Sequence, residues 1–450
     1  MSFGHIGLTL LFQNVVFTSR DFVRIMCVQF SVFHAGGAVC VAPYERSTAT
    51  ASKTQSKTTT ETSMQNFTFH NPTKIIFGEN TVSRIGAETA PYGKRALLIY
   101  GKNSIKANGV YDTVVQSLKA TNIDFVEHPG VKPNPTLEHT RLGIEIVKKE
   151  KLDFILAVGG GSVIDEAKAI AAGAAGNDDV WDYYIGKAKI QAALPLLTVL
   201  TMAATGTEMN GGTVITNEAT QEKLGLGNEH LFPKVSILDP TTTFSVPADQ
   251  TAYGCIDAVT HLLESYFTCS DEFTPIQDRY VEGIVRTIIE IAEKMIANPR
   301  DYQLRATFMW CATLAWNNIA PAGVGSWSLP NHLIGHSMSA LYDTPHGASL
   351  SIALSGWMPW YAESRAPRLA QLGKAVFDIT DPNPQVVTQQ TITAFRDWFR
   401  RLKSPMKPAD IGVDAAGIIR LAENVEKCAP YWGLPDYNRD FVANILERCE

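Results

Sequence analysis

The sequence predicts an α/β amino-terminal domain with a parallel sheet, followed by an all-helical carboxy-terminal domain. Continuous apolar strand segments alternate with helical segments before Pro247, and a run of glycines joins one of these strands to a helix. After Pro247 the strand signals largely stop. Continuous apolar strands between helices are typical of parallel sheets that are covered on both faces. We therefore expect an α/β domain over residues 64–246 and a helical domain over residues 247–450.

The elements follow from apolar periodicity and from Pro and Gly punctuation. The predicted strands are Arg95–Tyr100, Asp124–His128 and Phe154–Val158, with a loop over Gly101–Gly109. The predicted helices are Val110–Ala120, Thr136–Lys149, Tyr253–Phe267, Ile276–Ala297, Tyr302–Trp316 and Thr391–Leu402.

Composition sets further bounds. The chain has 450 residues, of which 45% are hydrophobic and 19% charged, with a net charge of -6. This length can bury two cores, and the apolar content excludes disorder of the whole chain. The chain has no apolar run long enough for a transmembrane helix, and its acidic balance argues against a nucleic-acid groove. Seven scattered cysteines favour a reducing compartment. We expect a cytoplasmic protein without nucleic-acid or membrane partners.

Residues 1–63 are expected to be a non-core extension. Ser47–Ser63 consists almost entirely of Ser, Thr, Ala and Lys, a composition that buries too little apolar area to order itself. No Lys or Arg precedes Arg20, which disfavours a secretory signal, and the acidic Asp21 and Glu45 weaken a transit peptide. We expect a dispensable segment, with translation beginning at Met64, and organellar targeting stays open.

The glycine run lies between a strand and a helix, in Phe154–Ala172. Gly160 and Gly161 would let backbone N–H groups approach an anion closely, and Ser162 could cap the helix or donate to a phosphate. This is not the common G-x-G-x-x-G pattern. The turn therefore predicts a phosphate-bearing ligand, although a glycine turn that serves only packing is the alternative.

Two further loops bear on such a ligand. Thr201–Asn210 follows the apolar run 195–200 and is rich in hydroxyls that could bind a nicotinamide ribose or amide; an ordinary hydroxyl-capped turn is the alternative. The loop after the first strand has no carboxylate, whereas Lys102 and Ser104 are present. Because an acidic side chain there commonly holds the adenosine ribose, its absence favours NADP(H) over NAD(H).

The helical half carries a metal-ligating pattern. Asp257 and His261 are spaced i, i+4, as are His332 and His336, and His346 follows ten residues later. This spacing puts each pair on one helix face. One carboxylate and three imidazoles would suit Fe(II), Zn(II) or a similar ion. Taken singly, each of these residues is better explained as a core histidine or a local Asp–His hydrogen bond.

The whole of residues 66–450 resembles the iron-containing (group III) alcohol dehydrogenases. The motifs are the GGGS turn with Asp165, T-M-A-A-T-G-T-E, D-x-x-x-H, H-x-x-x-H followed by P-H-G, F-x-x-P-T-K-I-x-F-G at 69–78, and P-N-P-T at 133–136. Within the family, Gly101–Ser104 and Gln277–Arg279 are most similar to the NADPH-dependent aldehyde reductase and butanol dehydrogenase branch. The first 63 residues have no counterpart in the family pattern.

The resemblance implies a dinucleotide domain, a helical metal domain and an active site in the cleft between them. It implies the metal ligands Asp257, His261, His332 and His346, with His336 beside the metal. It implies cofactor contacts from Gly101, Asn103, Ser104, Asn134, Gly160, Gly161, Ser162, Thr201, Thr205, Asn210 and Lys223. Family members use iron or zinc and form dimers or larger assemblies, so a homodimer is expected.

The expected reaction is hydride transfer between NADP(H) and a metal-polarised carbonyl or alkoxide. His336 is a candidate proton relay, with a substrate-wall role as the alternative. Trp327, Leu329 and Leu333 flank the predicted ligands, which favours a small, rather apolar aldehyde or primary alcohol. A polyol dehydrogenase, a lyase of the dehydroquinate synthase kind and a non-catalytic nucleotide-binding protein are the alternatives.

Overall fold

The computed structural model describes residues 64–271 and 273–450. The predictions for residues 1–63 lie outside these ranges. The strands are β1 (Lys74–Phe77), β2 (Arg95–Tyr100), β3 (Asp124–Pro129), β4 (Phe154–Gly159), β5 (Leu196–Leu200), β6 (Gly212–Asn217), β7 (Glu222–Gly227) and β8 (Val235–Leu238). The α-helices of the first half are α1 (Ile85–Thr89), α2 (Ser104–Ala107), α3 (Val110–Ala120), α4 (Leu137–Glu150), α5 (Gly161–Ala175) and α6 (Val180–Tyr184).

Six strands form a parallel sheet in the order β1-β8-β5-β4-β2-β3, and β6 and β7 form a separate antiparallel pair. The central strands are buried along their whole length, as β4 illustrates with six buried residues. Their continuous apolar runs are therefore those of a sheet with helices on both faces, as the sequence predicts.

Successive residues of β2 point to opposite faces of the sheet. Leu97 packs in one core cluster with Ala167 of α5, whereas Leu98 packs in a second cluster with Val114 of α3. The helices that follow β2 and β4 therefore cover opposite faces, and the two strands are neighbours. The carboxyl ends of β2 and β4 thus form a topological switch point, where open α/β sheets bind ligands.

The second half is built from α7 (Ala248–Thr268), α8 (Pro275–Ala297), α9 (Tyr302–Ala315), α10 (Pro330–Tyr342), α11 (His346–Phe377), α12 (Pro384–Arg401), α13 (Ala415–Cys428) and α14 (Arg439–Leu446). Within the described residues, no strand follows β8. α11 has a kink at Arg365, whose backbone angles are not helical. No helix within the described ranges is both long and apolar enough to cross a bilayer.

The predicted fold class is confirmed. β2, β3, β4 and α3 lie where the sequence predicts them, with ends that agree within one residue. The predicted loop 101–109 contains one helical turn, α2, because Asn103 and Ser104 carbonyls accept bonds from N–H groups three or four residues further on. The boundary between the two predicted domains stays a prediction.

Candidate active site

Helix α7 provides the first two residues of the site. Asp257 and His261 are one turn apart and both are buried. His261 Nδ1 donates to the backbone carbonyl of Asp257 at 3.0 Å and lies 3.1 Å from Asp257 Oδ1. The carbonyl bond fixes the ring tautomer and leaves Nε2 as the nitrogen with a lone pair.

Helices α10 and α11 bring two more imidazoles to Asp257. His332 Nε2 lies 3.7 Å and His346 Nε2 3.6 Å from Asp257 Oδ1. One ligand atom from each of these three residues lies within 4.8 Å of the others. The ring centroid of His261 lies 4.2 Å from that of His332. We call Asp257, His261, His332 and His346 the carboxylate–imidazole cluster.

The polar atoms of this cluster fit a divalent cation. Among the described residues, Asp257 Oδ1 and His332 Nε2 are buried atoms without a hydrogen-bond partner, and they lie 3.7 Å apart. His346 Nδ1 is also unbonded, on the ring whose Nε2 faces Asp257. Buried polar atoms are nearly always bonded, so unbonded atoms this close together require an explanation. A carboxylate oxygen with imidazole nitrogens is a donor set that Fe(II) and Zn(II) both accept.

Glu264 supports the cluster from behind and was missed from the sequence. Its carboxylate accepts 3.0 Å bonds from the ring Nδ1 and the backbone N–H of His332. This bond orients the ring and leaves Nε2 for a ligand, which is the usual arrangement behind a metal-binding histidine. Its position in the chain was the available signal, because Glu264 follows Asp257 by seven residues on the same face of α7.

Gly347 explains how α11 reaches the cluster. Asp343 ends α10 in the left-handed conformation, Pro345 caps the next helix, and His346 is its first residue. A Cβ on Gly347 would lie 2.1 Å from the backbone carbonyl oxygen of Tyr253 on α7. Glycine after His346 is therefore required for α11 to begin against α7, one turn from Asp257.

The residues of the carboxylate–imidazole cluster have shifted pKa values, in part because of one another. Burial alone would raise the pKa of Asp257, but the neighbouring imidazoles of His261 and His346 hold it well below its usual range. Burial lowers the pKa of His332, but the nearby carboxylates of Asp257 and Glu264 outweigh this and raise it to about 9. Burial and the positive charge of Lys223 hold the pKa of His346 well below its usual range. Asp257 is therefore anionic and His346 neutral, the states that bind metal, whereas a metal ion would displace a proton from His332.

His336 lies one turn beyond His332 and faces the other half of the site. Its Nδ1 donates to the backbone carbonyl of Lys223 at 3.2 Å, and Trp432 packs edge-on against its ring. Burial and the charge of Lys223 hold the pKa of His336 well below its usual range. The ring is therefore neutral, with its Nε2 lone pair free to accept a proton.

A chain of hydrogen-bonded polar groups joins the two halves of the molecule, from the buried Lys223 and Asn134 to the exposed Asp343. Lys223 Nζ donates to Asn134 Oδ1 at 2.9 Å, and Asn134 Nδ2 donates to Asp343 Oδ1 at 2.7 Å. Burial lowers the pKa of Lys223 to about 8, although Asp257, Asp165 and Asp343 oppose the shift. Two predicted cofactor residues are thus tied to the turn that precedes His346.

The glycine turn and the hydroxyl loop lie against each other. Gly160 precedes α5 in an extended conformation, and a Cβ on Gly161 would lie 2.6 Å from Thr205 Oγ1. Thr201 N–H donates to the carbonyl of Gly159 at 3.0 Å. The side chain of Ser162 donates to the carbonyl of Pro133, beside Asn134. These contacts assemble a continuous surface at the amino terminus of α5, where an anion binds favourably.

Lys168 holds the hydroxyl loop and was also missed from the sequence. This fully buried ammonium donates to the carbonyl oxygens of Thr207, Asn210 and Gly212 at 2.7, 2.8 and 2.7 Å. Burial lowers the pKa of Lys168, and Asp165 opposes that shift. The amide of Asn210 is used within the protein, since its Oδ1 accepts from Gly212 N–H. Asn210 therefore shapes the loop through its own side-chain bonds.

The exposed loop after β2 contains Gly101, Asn103 and Ser104. A carboxylate does lie near this strand end, on the neighbouring β3. Glu127 accepts from the phenols of Tyr100 and Tyr111 and lies 3.5 Å from Lys106 Nζ. Burial would raise the pKa of Glu127, but these partners lower it. Its hydrogen-bonding capacity is largely used within the protein.

Tryptophans border the carboxylate–imidazole cluster. The Trp316 ring centroid lies 4.8 Å from that of His261, and Trp327 packs edge-on against Trp316 at 5.6 Å. Trp432 covers His336 at 4.8 Å. Leu333, predicted to flank the ligands, and its neighbour Ile334 are fully buried in the core. The tryptophan side of the cluster is therefore apolar, whereas Glu264 and Lys223 lie on its charged sides.

The two halves match two family models. Residues 72–240 match the iron-containing alcohol dehydrogenase model, and residues 251–449 match the carboxy-terminal model of the Fe-containing alcohol dehydrogenase family. The fold and the site thus define an oxidoreductase of the alcohol dehydrogenase type. The chain belongs to the iron-containing alcohol dehydrogenase family, which confirms the resemblance read from its motifs.

Named relatives differ in their cofactor. The chain is 41% identical over 387 residues to the probable NADH-dependent butanol dehydrogenase 1 of Bacillus subtilis, which covers 85% of this chain and 99% of the relative. It is 36% identical over 368 residues to the NADPH-dependent aldehyde reductase YqhD of Escherichia coli, covering 81% and 94%. Alcohol or aldehyde dehydrogenase activity is common to both names.

Two solved structures of the same family share the fold of this chain. The NADH-dependent butanol dehydrogenase A of Thermotoga maritima superposes with a TM-score of 0.82 at 42% identity, over 86% of this chain and 99% of that chain. The structure of Escherichia coli YqhD superposes with a TM-score of 0.81 at 34% identity, over 86% and 99%.

Proposed function

We propose that this chain is a metal- and NADP(H)-dependent alcohol dehydrogenase that interconverts small, rather apolar aldehydes and primary alcohols. The observation that carries the proposal is the buried carboxylate–imidazole cluster, in which the unbonded Asp257 Oδ1 and His332 Nε2 face each other and His346 Nε2 lies 3.6 Å from the same oxygen. The amino terminus of α5 would bind the phosphates of a nicotinamide cofactor, and the switch point at the carboxyl ends of β2 and β4 would hold the rest of that cofactor.

Asp257, His261, His332 and His346 would hold one divalent ion, either Fe(II) or Zn(II). Such an ion, when bound, supplies a Lewis acid that polarises a carbonyl oxygen. Glu264 keeps the Nδ1 proton on His332, so that Nε2 stays available as a ligand. The anionic state of Asp257 offsets part of the charge of the ion.

Gly160, Gly161 and Ser162 would bind the pyrophosphate, with Gly101, Asn103 and Ser104 toward the adenosine. Thr201, Thr205, Lys223 and its hydrogen-bond partner Asn134 would lie toward the nicotinamide. Asn210 would shape the loop that carries Thr201 and Thr205. A nicotinamide supplies the hydride chemistry that side chains lack. NADP(H) is favoured because the loop after β2 has no acid and because Glu127 is occupied by two tyrosines and Lys106.

His336 would accept a proton from the alcohol through Nε2 during oxidation. Its bond to the Lys223 carbonyl keeps the proton on Nδ1 and aims the other nitrogen away from it. The lowered pKa of His336 keeps the ring unprotonated but makes it a weak base, so a proton taken up here must pass onward quickly.

Trp316, Trp327 and Trp432 would form the substrate wall. Indole rings bury apolar area and offer few hydrogen bonds, so they favour short alkyl aldehydes over polyols and sugar phosphates. The homodimer and the cytoplasmic location remain part of the proposal.

The test is NADPH oxidation with aldehydes of graded length, using metal-stripped protein reloaded with iron or zinc. We expect metal-dependent turnover that is higher with butanal than with glyceraldehyde, and a higher kcat/KM with NADPH than with NADH. Glycerol oxidation at a higher kcat/KM than butanol would favour the polyol reading. No turnover with any aldehyde, in a protein that binds both metal and cofactor, would exclude the dehydrogenase.

A further inference from the structure

A second group of titratable side chains lies outside the site described above. His128 is the next-to-last residue of β3, His139 lies in the first turn of α4, and Glu166 lies in α5. Glu166 has no exposed surface, His128 is 4% exposed, and the two imidazole rings stack with centroids 4.1 Å apart. We call these three residues the histidine–glutamate cluster.

Both ring nitrogens of His139 face acceptors. Nδ1 lies 2.5 Å from Glu166 Oε1, and Nε2 lies 3.2 Å from the carbonyl oxygen of Pro129. The carbonyl only accepts hydrogen bonds, so Nε2 carries a proton. Glu166 Oε1 faces two ring nitrogens, His139 Nδ1 and His128 Nε2 at 3.5 Å, an arrangement that favours the second proton on His139 Nδ1. An imidazole with two protons is an imidazolium, and its partner is then a buried carboxylate at short, charge-assisted distance.

A metal ion is the other occupant for which these residue types are suited. The rings are nearly parallel, with an angle of 20° between their planes, so their in-plane lone pairs do not converge on one tetrahedral centre. His128 Nε2 lies 3.1 Å from the backbone carbonyl of His139 and therefore carries a proton. The hydrogen bonds of the cluster thus favour a proton over a metal.

The cluster lies directly behind the proposed pyrophosphate site. Ser162 and Glu166 are four residues apart in α5 and share one helix face. Thr136, the cap of α4, accepts a bond from the backbone N–H of His139 and is two residues beyond Asn134. A bare carboxylate at Glu166 would therefore oppose two phosphate charges at the start of the same helix.

We propose that His139 is an imidazolium paired with the Glu166 carboxylate, and that this pair positions and electrostatically balances the pyrophosphate turn. The inference rests on the proposed cofactor site. His139 acts as a positioning residue, because it neutralises Glu166 and joins α4 to α5 beneath the two loops without touching the cofactor.

The proton on His139 depends on its neighbours from each packed element. Glu166 from α5 favours the charged ring, the carbonyl of Pro129 from β3 also favours it, and Lys132 opposes it. His128 from β3 stacks on the same ring. The sum raises the pKa of His139, so cofactor affinity should fall as alkaline pH removes the proton.

The test compares His139→Gln, Glu166→Gln and the double variant, with exposed His230→Gln as the control. We expect His139→Gln to raise KM for NADPH about tenfold with kcat nearly unchanged, because Glu166 loses its counter-ion. The double variant should recover most of that loss and should lose the alkaline rise in KM seen in the wild type. A double variant as impaired as His139→Gln would overturn the balancing role.

The nitrogen chemical shifts of His139, measured by NMR on the cofactor-free protein at neutral pH, test the ionisation separately. Two protonated ring nitrogens are expected, and a neutral ring would overturn the inference while leaving the proposed function intact. Zinc binding beyond one ion per chain, abolished by His139→Gln, would also overturn it. A third outcome is an imidazolium at His139 in a wild-type protein that does not bind NADPH. That outcome would count against the proposed function, and the balancing role would fail with it.

Discussion

Two clusters in this chain are built from the same residue types but differ in what their polar atoms face. In the histidine–glutamate cluster, the ring nitrogens of His139 and Nε2 of His128 lie on acceptors, and a carboxylate oxygen, Glu166 Oε2, is unbonded. In the carboxylate–imidazole cluster, ring nitrogens of His332 and His346 are unbonded as well as a carboxylate oxygen. Histidine and carboxylate in proximity therefore define a proton site or a metal site according to whether the ring nitrogens already lie on acceptors.

Glu264 and Glu166, the glutamates that bond to a histidine ring in the two clusters, show the same difference. Glu264 accepts from the Nδ1 of His332 and leaves the opposite nitrogen without a partner, whereas Glu166 takes a nitrogen of His139 whose opposite nitrogen is also bonded. The first arrangement prepares a ligand, and the second one holds a charge.

Removing a ligand should abolish metal and activity together. Asp257→Ala or His332→Ala should lower kcat/KM about 10³-fold or more, because several kcal/mol of Lewis-acid stabilisation are lost. Metal content by mass spectrometry and NADPH oxidation would be measured on the same samples, with exposed His230→Ala as the control. Full activity from a metal-free His332→Ala protein would remove the metal from the mechanism.

Weakening the supporting carboxylate should have a smaller effect. Glu264→Gln keeps the shape but removes the charge that orients His332, and we expect metal affinity to fall about 10–100-fold. Competition with a chelator would measure this affinity, with Glu229→Gln on the exposed surface as the control. If Glu264→Gln retains metal as tightly as the wild type, Glu264 has only a packing role.

The fold class and three of the six strands of the parallel sheet could be predicted from the sequence because their signals are local. The strands β2 to β4 are short apolar runs with turn residues at both ends, and these alone decide their assignment. Helix α11 was missed because it is buried on most of its surface from Gly347 to Met358, so no polar face marks its period. The β6–β7 pair was missed because its strands contain glycine and threonine and little apolar alternation.

The candidate site was predictable where spacing within one helix carried the information, as for Asp257 with His261. Residues whose role depends on contacts with another helix or strand could not be predicted, and Lys168 is the clearest case. Its three carbonyl acceptors lie about 40 residues further along the chain, and one lysine in an Ala-rich helix gives no sign of them. The occupied state of Glu127 was hidden for the same reason, since its partners come from β2 and α3.

A substitution at Gly101, near the expected adenosine end of the cofactor, should change the preference between NADPH and NADH by a moderate amount. Gly101→Asp would place a carboxylate where a 2′-phosphate is expected, so the ratio of kcat/KM with NADPH to that with NADH should fall about tenfold or more. Asn108→Asp, which adds the same charge at the far end of the loop, should leave the ratio nearly unchanged. An unaltered ratio in Gly101→Asp would mean that this loop does not discriminate between the two cofactors.

The pair of His139 and Glu166 should contribute a small, pH-dependent part of the free energy of unfolding. The folded-state pKa of His139 is raised above its ordinary value, so the pair stabilises the fold fully below that ordinary value. This stabilisation is lost as pH rises through the folded-state pKa. Because His139 is partly exposed, the loss should be about 1 kcal/mol. Urea unfolding from mildly acidic to alkaline pH should show a decline that Glu166→Gln flattens. If Glu166→Gln and the wild type decline in parallel, His139 does not hold its proton through Glu166, and the contrast between the two clusters fails.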